Sequence, residues 1–243
     1  SSDLAPGSQT FEMPDIPAIA KATHARDIIV LDDNTWATPL YHRSLEQGVD
    51  ISIQAATKYI GGHSDIMFGI ISANEKAWPL VADSIRQLGV CAGPDDVFLA
   101  LRGLRTLAVR LAHHQRAGLE MARWLAARPE VTDVLHPGLE TSPGHAIWKR
   151  DFTGASGLFS IVLQGAPQKA VDALLDTVQL FGMGYSWGGF ESLVIPFDCT
   201  SYRTATKWAP SGPTLRLHIG LENTDDLKAD LARGFEAFNA ARG

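Results

Sequence analysis

The chain has 243 residues, of which 45% are hydrophobic and 20% charged, and its formal net charge is −6. This length allows one large globular domain or two smaller ones. The negative charge argues against nucleic acid as the main partner, because phosphate backbones are bound by an excess of lysine and arginine. The two cysteines are too few for a disulfide framework or a zinc site. No apolar run reaches membrane-spanning length, and no signal peptide opens the chain.

In chain order, residues 1–10 are predicted to form a loop rich in serine, glycine and proline. Asp15 is expected to cap a short helix. A continuous apolar run at 27–33 ends in two carboxylates, which predicts a strand that is buried on both faces. Gly48 is expected to end another short helix, just before a strand at 50–53.

Residues 67–73 are predicted to form a further buried strand, and the alternation so far is typical of an α/β sheet. From Pro94, leucines recur at steps of three and four residues, which predicts one long helix to about Arg128. The predicted elements beyond it are strands at 131–135, 158–163, 192–196 and 214–219, and helices at 168–178 and from 223 onward. We therefore predict two domains, 1–104 and a linking helix with a smaller α+β domain at 105–243.

Lys58 follows the strand at 50–53 and precedes two glycines. Ligands of open α/β sheets collect beyond the carboxyl ends of the strands, so Lys58 and Asp33 are expected to meet at one sheet edge. A Schiff-base lysine and an aspartate that faces a pyridinium nitrogen form the protein's half of a pyridoxal phosphate site. Taken alone, Lys58 is more often a surface charge, and Asp33 can equally be a turn carboxylate. Because side chains alternate along a strand, only one of Asp32 and Asp33 can face the site.

Other candidate residues have an ordinary structural alternative as well. The Thr57 hydroxyl can bind a phosphate, although most threonines satisfy nearby backbone groups. Arg216 lies in an apolar strand, where it can clamp a substrate carboxylate or form a structural salt bridge. Ser186 and Trp187 lie in a loop that either lines a pocket or is a plain turn. The histidines lack metal-binding spacing, and the pair at 113–114 is expected on an exposed helix face.

Taken together, these motifs resemble the Cys/Met-metabolism family of pyridoxal phosphate enzymes, in the same order and over about residues 6–238. The segments that carry the resemblance are Asp33-Asn34-Thr35-Trp36, the stretch 52–65 around Lys58, Leu101-Arg102-Gly103-Leu104-Arg105-Thr106-Leu107, Tyr185-Ser186-Trp187-Gly188-Gly189, and Leu215-Arg216-Leu217-His218-Ile219. Within the family, the 185–189 loop and His136-Pro137-Gly138-Leu139 favour β-elimination over γ-elimination and γ-replacement. The resemblance implies a fold-type I enzyme, with a mostly parallel sheet between helices on both faces and a smaller C-terminal α+β domain.

The resemblance also implies a role for each matching residue. Lys58 would carry pyridoxal phosphate covalently, Asp33 rather than Asp32 would face the ring nitrogen, and Thr57 would bind the phosphate. Arg216 would hold the substrate α-carboxylate, beside Ser186 and Trp187. The implied reaction is the α,β-elimination of cystathionine to homocysteine, pyruvate and ammonia, a step of methionine biosynthesis.

Family members extend further at the N-terminus than this chain. We therefore expect the chain to be the C-terminal part of an enzyme, whose remaining part supplies the glycine-bearing phosphate loop and the tyrosine that stacks on the ring. The resemblance further implies a cytoplasmic homo-oligomer, a dimer-based tetramer, that acts on a small sulfur amino acid. The alternative outside the enzymes is an inactive remnant that only binds a partner.

Overall fold

The structure is a computed structural model that describes residues 4–243, so the first three residues of the predicted N-terminal loop lie outside it. Its strands are β1 (Leu31–Asp33), β2 (Ile51–Ala55), β3 (Gly69–Ala73), β4 (Val131–Leu135), β5 (Leu158–Leu163), β6 (Gly182–Met183), β7 (Leu193–Phe197) and β8 (Thr214–His218). Its α-helices are α1 (Ile16–His24), α2 (Thr38–Tyr41), α3 (Trp78–Leu88), α4 (Pro94–Leu104), α5 (Leu107–Ala126), α6 (His145–Asp151), α7 (Gln168–Thr177) and α8 (Thr224–Arg242).

The first sheet contains β1, β2 and β3 in that order. β1 runs parallel to β2, with Asp33 opposite Ile53, and β3 runs antiparallel to β2. The sheet is therefore mixed within the described residues. The predicted helix cap is confirmed, because the Asp15 side chain accepts a hydrogen bond from the Ala18 amide at the start of α1. Gly48 ends a short 3₁₀ helix with a φ of +96°, a left-handed conformation that glycine adopts without strain.

The expectation that the first and third strands are buried was wrong for this part of the chain. Ile28 and Leu31 are about half exposed, and Met67 is 85% exposed. β1 and β3 are the two outer strands of the sheet within residues 4–243, so fewer residues cover them than cover a central strand. Helix α3, which the sequence analysis missed, contributes no buried side chain.

The second sheet has the order β4-β5-β8-β7-β6 and is antiparallel except for the β6–β7 pair. Its central strands β5 and β8 are fully buried, and α5, α7 and α8 contribute to the same core. Helix α8 begins after the Asn223 cap and buries four side chains as predicted, Leu227, Leu231, Phe235 and Phe238.

The predicted long helix is two helices, α4 and α5, which are separated at residues 105 and 106. The helix breaks because one backbone carbonyl group forms hydrogen bonds outside the helical pattern. The Gly103 oxygen accepts hydrogen bonds from the Thr106 amide and hydroxyl and from the Arg110 guanidinium. A continuous helix would offer that oxygen to the Leu107 amide. Among the described residues, none of the helices is both long and apolar enough to cross a membrane.

A second apolar cluster joins the two sheets. It includes Trp36, Tyr59, Leu111, Leu158 and Trp187, which come from both halves of the chain. The Trp36 indole donates to the Leu158 carbonyl (2.9 Å), and the Tyr59 hydroxyl accepts from the Gly157 amide (3.1 Å). The residues that flank Lys58 are thus fixed against the second sheet. The domain boundary at 104–105 remains a prediction.

Helix α4 packs directly on the backbone beyond Lys58. A Cβ added at Gly103 would overlap the carbonyl oxygens of Ile60 and Gly61. We predict that Gly103→Ala lowers the free energy of unfolding by about 1–3 kcal/mol, although alanine favours helix, because the backbone must move apart. Thermal or denaturant unfolding measures the change. Gly69→Ala is the matched control, since its added Cβ meets only one atom, at 4.0 Å; an equal effect in both variants would contradict the packing argument.

Candidate active site

The backbone after β2 turns tightly and presents Lys58 at the carboxyl end of the strand. The Lys58 amide donates to the Ala55 carbonyl (2.9 Å), and the Gly61 amide donates to the Ala56 carbonyl (2.7 Å). The turn closes where the Gly62 amide donates to the Lys58 carbonyl (2.8 Å), and Gly62 has a φ of +72°. This conformation is the reason for a glycine at position 62.

The Lys58 amine lies among groups from the second half of the chain. Its Nζ donates to the Ser186 hydroxyl (2.9 Å) and lies 5.3 Å from the centre of the Trp187 ring. Burial lowers the pKa of Lys58, and the nearby positive charge of Arg216 lowers this pKa further. Among the described residues, no carboxylate lies within salt-bridge distance of Lys58. The amine is therefore easier to deprotonate than that of an exposed lysine.

Arg216 lies in the fully buried strand β8 and is only 6% exposed. Its Nη2 donates to the Tyr185 carbonyl (2.5 Å). The structural salt bridge that the sequence left open does not form with any described residue. Burial lowers the pKa of Arg216. A buried guanidinium without an acidic partner can bind an anion where its N–H donors are not taken by other groups.

Asp33 and the end of β2 are connected by Thr35. The Thr35 amide (3.0 Å) and hydroxyl both donate to Asp33 Oδ1, and the same hydroxyl accepts from the Ala55 amide (2.8 Å). Asp33 Oδ2 accepts no hydrogen bond from the described residues, so it is open to a ligand. Since β1 and β2 are parallel, Asp33 and the residues leading to Lys58 lie at the same sheet edge, as the sequence predicts.

Asp32 occupies a different environment. It is 4% exposed, and its Oδ2 lies 3.8 Å from His42 Nε2, where both atoms lack a hydrogen-bond partner. Burial raises the pKa of Asp32 to about 7, while a hydrogen bond from Ser44 acts in the opposite direction. Asp32 is therefore largely enclosed by protein, whereas its neighbour Asp33 is partly accessible.

The Thr57 side chain forms hydrogen bonds with the backbone, in agreement with the structural alternative given above. Its hydroxyl accepts from the Phe68 amide (2.9 Å) and can donate to the Phe68 carbonyl (3.3 Å). A hydroxyl has one proton, so donation to a phosphate would replace donation to that carbonyl. Thr57 lies next to Lys58 and remains partly accessible.

Several residues around the site were missed by the sequence analysis. The sequence pattern places Thr35 in a loop and indicates no role for Arg110. His114 was expected on an exposed face but is 1% exposed, as is His218. The sequence signal for such residues is a polar residue at a position where the helical pattern is otherwise apolar. Arg110 and His114 are examples, because they lie among the buried leucines and alanines of α5. That pattern shows burial of a polar group but not its partner.

Comparison with known proteins agrees with this geometry. A family model described as "Cys/Met metabolism PLP-dependent enzyme" matches residues 5–236. The chain belongs to this family. It is 51% identical over 240 residues to a putative cystathionine beta-lyase of Rhizobium johnstonii and 48% identical over 236 residues to the cystathionine beta-lyase of Salmonella typhimurium. These alignments cover 97% and 95% of the chain but only 60% of each relative, so the chain spans about three fifths of their length.

A solved structure supports the fold. The chain superposes on cystathionine gamma synthase from Xanthomonas oryzae pv. oryzae in complex with cystathionine, with a TM-score of 0.89 and 33% identity, covering 98% of this chain and 63% of that one. The predicted fold-type I class is thereby confirmed. Pyridoxal phosphate is the cofactor of the family. The residues present fit it, because the Lys58 amine and Asp33 Oδ2 are both free of competing ionic partners among the described residues.

The environment of Asp32 predicts a pH-dependent stability. Its pKa is about 7 in the folded protein against 3.8 as the ordinary value, so between these values the folded state holds a proton that the unfolded state releases. Stability should therefore fall as the pH rises through this window, by at most about 4 kcal/mol. We predict that Asp32→Asn, which cannot ionise, unfolds at a higher temperature than the parent at about pH 8 and loses this advantage near pH 4.

Thermal unfolding of the two proteins across this pH range tests the prediction. Asp176→Asn, at an exposed aspartate near the end of α7, is the control and should follow the parent at every pH. Parallel curves for Asp32→Asn and the parent would show that Asp32 does not carry the pH dependence.

Proposed function

We propose that this chain carries the lysine half of a pyridoxal phosphate-dependent carbon–sulfur lyase that cleaves cystathionine by α,β-elimination. The observation that most supports this proposal is the proximity of two basic side chains, Lys58 and Arg216. A half-buried amine with a lowered pKa lies beside a buried guanidinium, and no described carboxylate neutralises either. An amine that condenses with carbonyl groups, next to a site for a carboxylate, suits an amino acid substrate.

In this proposal, Lys58 holds the cofactor through its amine, Asp33 Oδ2 faces the ring nitrogen, and the Thr57 hydroxyl donates to the phosphate. Bound pyridoxal phosphate supplies the electron sink that stabilises negative charge at the substrate Cα. The lowered pKa of Lys58 would leave its amine able to take a proton from the substrate. Thr35 fixes the orientation of the Asp33 carboxylate.

The substrate would bind with its α-carboxylate on Arg216, next to Ser186 and Trp187. Lys58 would then remove the Cα proton and the thiolate would leave from Cβ. With one water consumed, cystathionine yields homocysteine, pyruvate and ammonia. Ser186 Oγ, 2.9 Å from Lys58 Nζ, would keep the amine directed toward the bound substrate.

The choice of β- over γ-elimination rests on similarity. The chain is 51% and 48% identical to proteins named cystathionine beta-lyase but 33% identical to the γ-synthase structure. The 185–189 loop supports the same choice. A γ-lyase, a γ-synthase or a cysteine desulfhydrase of this family is the first alternative, and an inactive binding module is the second.

The surface suggests partners. Large apolar side chains are exposed on α3, α4 and the residues between them, namely Trp78, Leu80, Leu88, Val90 and Phe98. Exposed apolar surface of this kind marks interfaces. We propose that a further N-terminal part of the same enzyme and other subunits of a dimer-based tetramer cover it, in a cytoplasmic enzyme of methionine biosynthesis.

We predict that Lys58→Ala in the complete gene product abolishes turnover and leaves no cofactor attached to the chain after borohydride reduction. The reason is that the Lys58 amine is the proposed point of attachment, against Ser186 and Trp187. Mass spectrometry of the reduced protein measures attachment. Lys76→Ala, at an exposed lysine, is the matched control and should retain both properties. Cofactor still fixed to a Lys58→Ala chain would refute the assignment.

We also predict that Arg216→Ala raises KM for the amino acid by about 10- to 100-fold and changes kcat less, since it removes charge-assisted hydrogen bonds to the carboxylate. Arg216→Lys keeps the charge but not the planar fork, so its KM should lie between that of the parent and that of Arg216→Ala. Steady-state kinetics separate the constants. Unchanged kinetics in Arg216→Ala would remove Arg216 from the substrate site.

The product of cystathionine cleavage distinguishes the reactions. We expect equimolar pyruvate and homocysteine, because β-elimination leaves three carbons on the keto acid. Chromatography of the keto acids after incubation with the complete gene product measures this. Formation of 2-oxobutyrate and cysteine instead would assign the protein to γ-elimination, and no keto acid at all would favour the binding module.

A further inference from the structure

The loop at 185–189 lies directly on the residue that bears the candidate catalytic amine. A Cβ added at Gly188 would lie 2.9 Å from both the carbonyl carbon and the Cβ of Lys58. Gly188 also has a φ of +83°, so this close approach requires glycine for two reasons. Any displacement of the loop would therefore change the position of Ser186 relative to the Lys58 amine.

Strand β8 holds this loop at both ends. Arg216 Nη2 donates to the Tyr185 carbonyl, at the start of the loop. His218 Nε2 lies 3.1 Å from the Gly188 amide nitrogen and 3.1 Å from the Gly189 carbonyl oxygen, at its end. Residues two apart on a strand face the same side. One face of β8 thus presents a substrate-binding arginine and a histidine that contacts the loop backbone.

A second buried histidine lies behind His218. The rings of His114 and His218 are 5.3 Å apart, and Tyr59 lies 5.0 Å and 5.9 Å from them. His114 Nδ1 is 2.8 Å from the Ile219 carbonyl oxygen, which can only accept, so Nδ1 carries the proton of the neutral ring. His114 Nε2 is then an acceptor, and it is buried without a partner.

His218 Nδ1 is the other buried imidazole nitrogen here without a partner. If Nδ1 carries the proton of His218, it is a donor that can reach the acceptor of His114 only through one water, because neither nitrogen has a hydrogen-bond partner. The same tautomer leaves Nε2 free to accept from the Gly188 amide. The opposite tautomer would let Nε2 donate to the Gly189 carbonyl, but it would leave the Gly188 amide unpaired and place acceptors on both rings.

Both rings are neutral at physiological pH. Burial lowers the pKa of His218 to about 3, and the charges of Arg216 and Lys58 act in the same direction. Burial lowers the pKa of His114 to about 4. A third cation beside Lys58 and Arg216 is therefore avoided, while the backbone of the loop still receives a hydrogen-bonding partner.

We propose that His218 is a positioning residue that holds the 185–189 loop over Lys58 by accepting from the Gly188 amide. The proposal rests on the proposed lyase function only in assigning the loop to substrate binding. Its structural part applies whatever reaction the protein catalyses.

The first test measures the loop without any reaction. In the cofactor-free gene product, His218→Leu should speed amide hydrogen exchange in peptides covering 185–190 by about fivefold or more, because one hydrogen bond is lost. Peptides from α7, which does not contact the loop through His218, should be unchanged. His218→Gln, whose side-chain oxygen reaches the position of Nε2, should restore slow exchange. Unchanged exchange at 185–190 in His218→Leu would overturn the proposal.

The second test uses the loaded enzyme. His218→Leu should raise KM for the amino acid at least as strongly as it lowers kcat, and His218→Gln should recover most of the loss. A merely structural role predicts a lower unfolding temperature in both variants with KM unchanged, and that result would refute positioning. If the gene product shows no lyase activity, the proposed function fails while the exchange experiment still decides the role of His218.

The tautomer has its own measurement. Solid-state NMR of protein labelled with ¹⁵N-histidine should show His218 protonated at Nδ1, with the signal assigned by its absence in His218→Gln. A parent spectrum with His218 protonated at Nε2 would show that this nitrogen does not accept from the Gly188 amide and would overturn the proposal.

Discussion

Arg216 is close enough to Lys58 to lower its pKa, and no described carboxylate lies within salt-bridge distance of either residue. The Lys58 amine and the Arg216 guanidinium come from different sheets, and each is at least partly removed from water. Such an arrangement costs free energy in the folded protein, because each charge disfavours the other and burial disfavours both. Neighbouring structure has to hold the two groups in place, and an anionic ligand would relieve the repulsion.

The supporting structure is a set of short contacts between the two halves of the chain. Tyr59 bonds to the Gly157 amide, Trp36 bonds to the Leu158 carbonyl, and Gly188 rests on the Lys58 backbone. Each contact joins Lys58, or a residue within three positions of Lys58 or Asp33, to a residue in or beside the second sheet. The site therefore depends on the relative position of the two sheets, and a change in their packing reaches the chemistry directly.

The sequence predicted the local parts of this arrangement better than the long-range ones. The strand ends that carry Asp33 and Lys58 followed from apolar runs bounded by polar residues, and the caps at Asp15 and Asn223 from their position before periodic helices. The break after α4 could not be predicted, since it depends on Arg110 reaching a carbonyl seven residues away. The burial of β1 was mispredicted because a run of apolar residues identifies a strand but does not show whether other residues pack against it.

The hydrogen bonds of the two buried arginines explain why we propose one as a binding group and regard the other as structural. Neither Arg110 nor Arg216 has a described carboxylate within salt-bridge distance. Arg110 donates to the Tyr59, Ile60 and Gly103 carbonyls and to the Thr106 hydroxyl, so four of its hydrogen bonds are already made. Within residues 4–243, Arg216 donates to one carbonyl only. A guanidinium has five N–H donors. Most of the donors of Arg216 therefore remain for a ligand, and a carboxylate presents the two oxygens that match its planar fork.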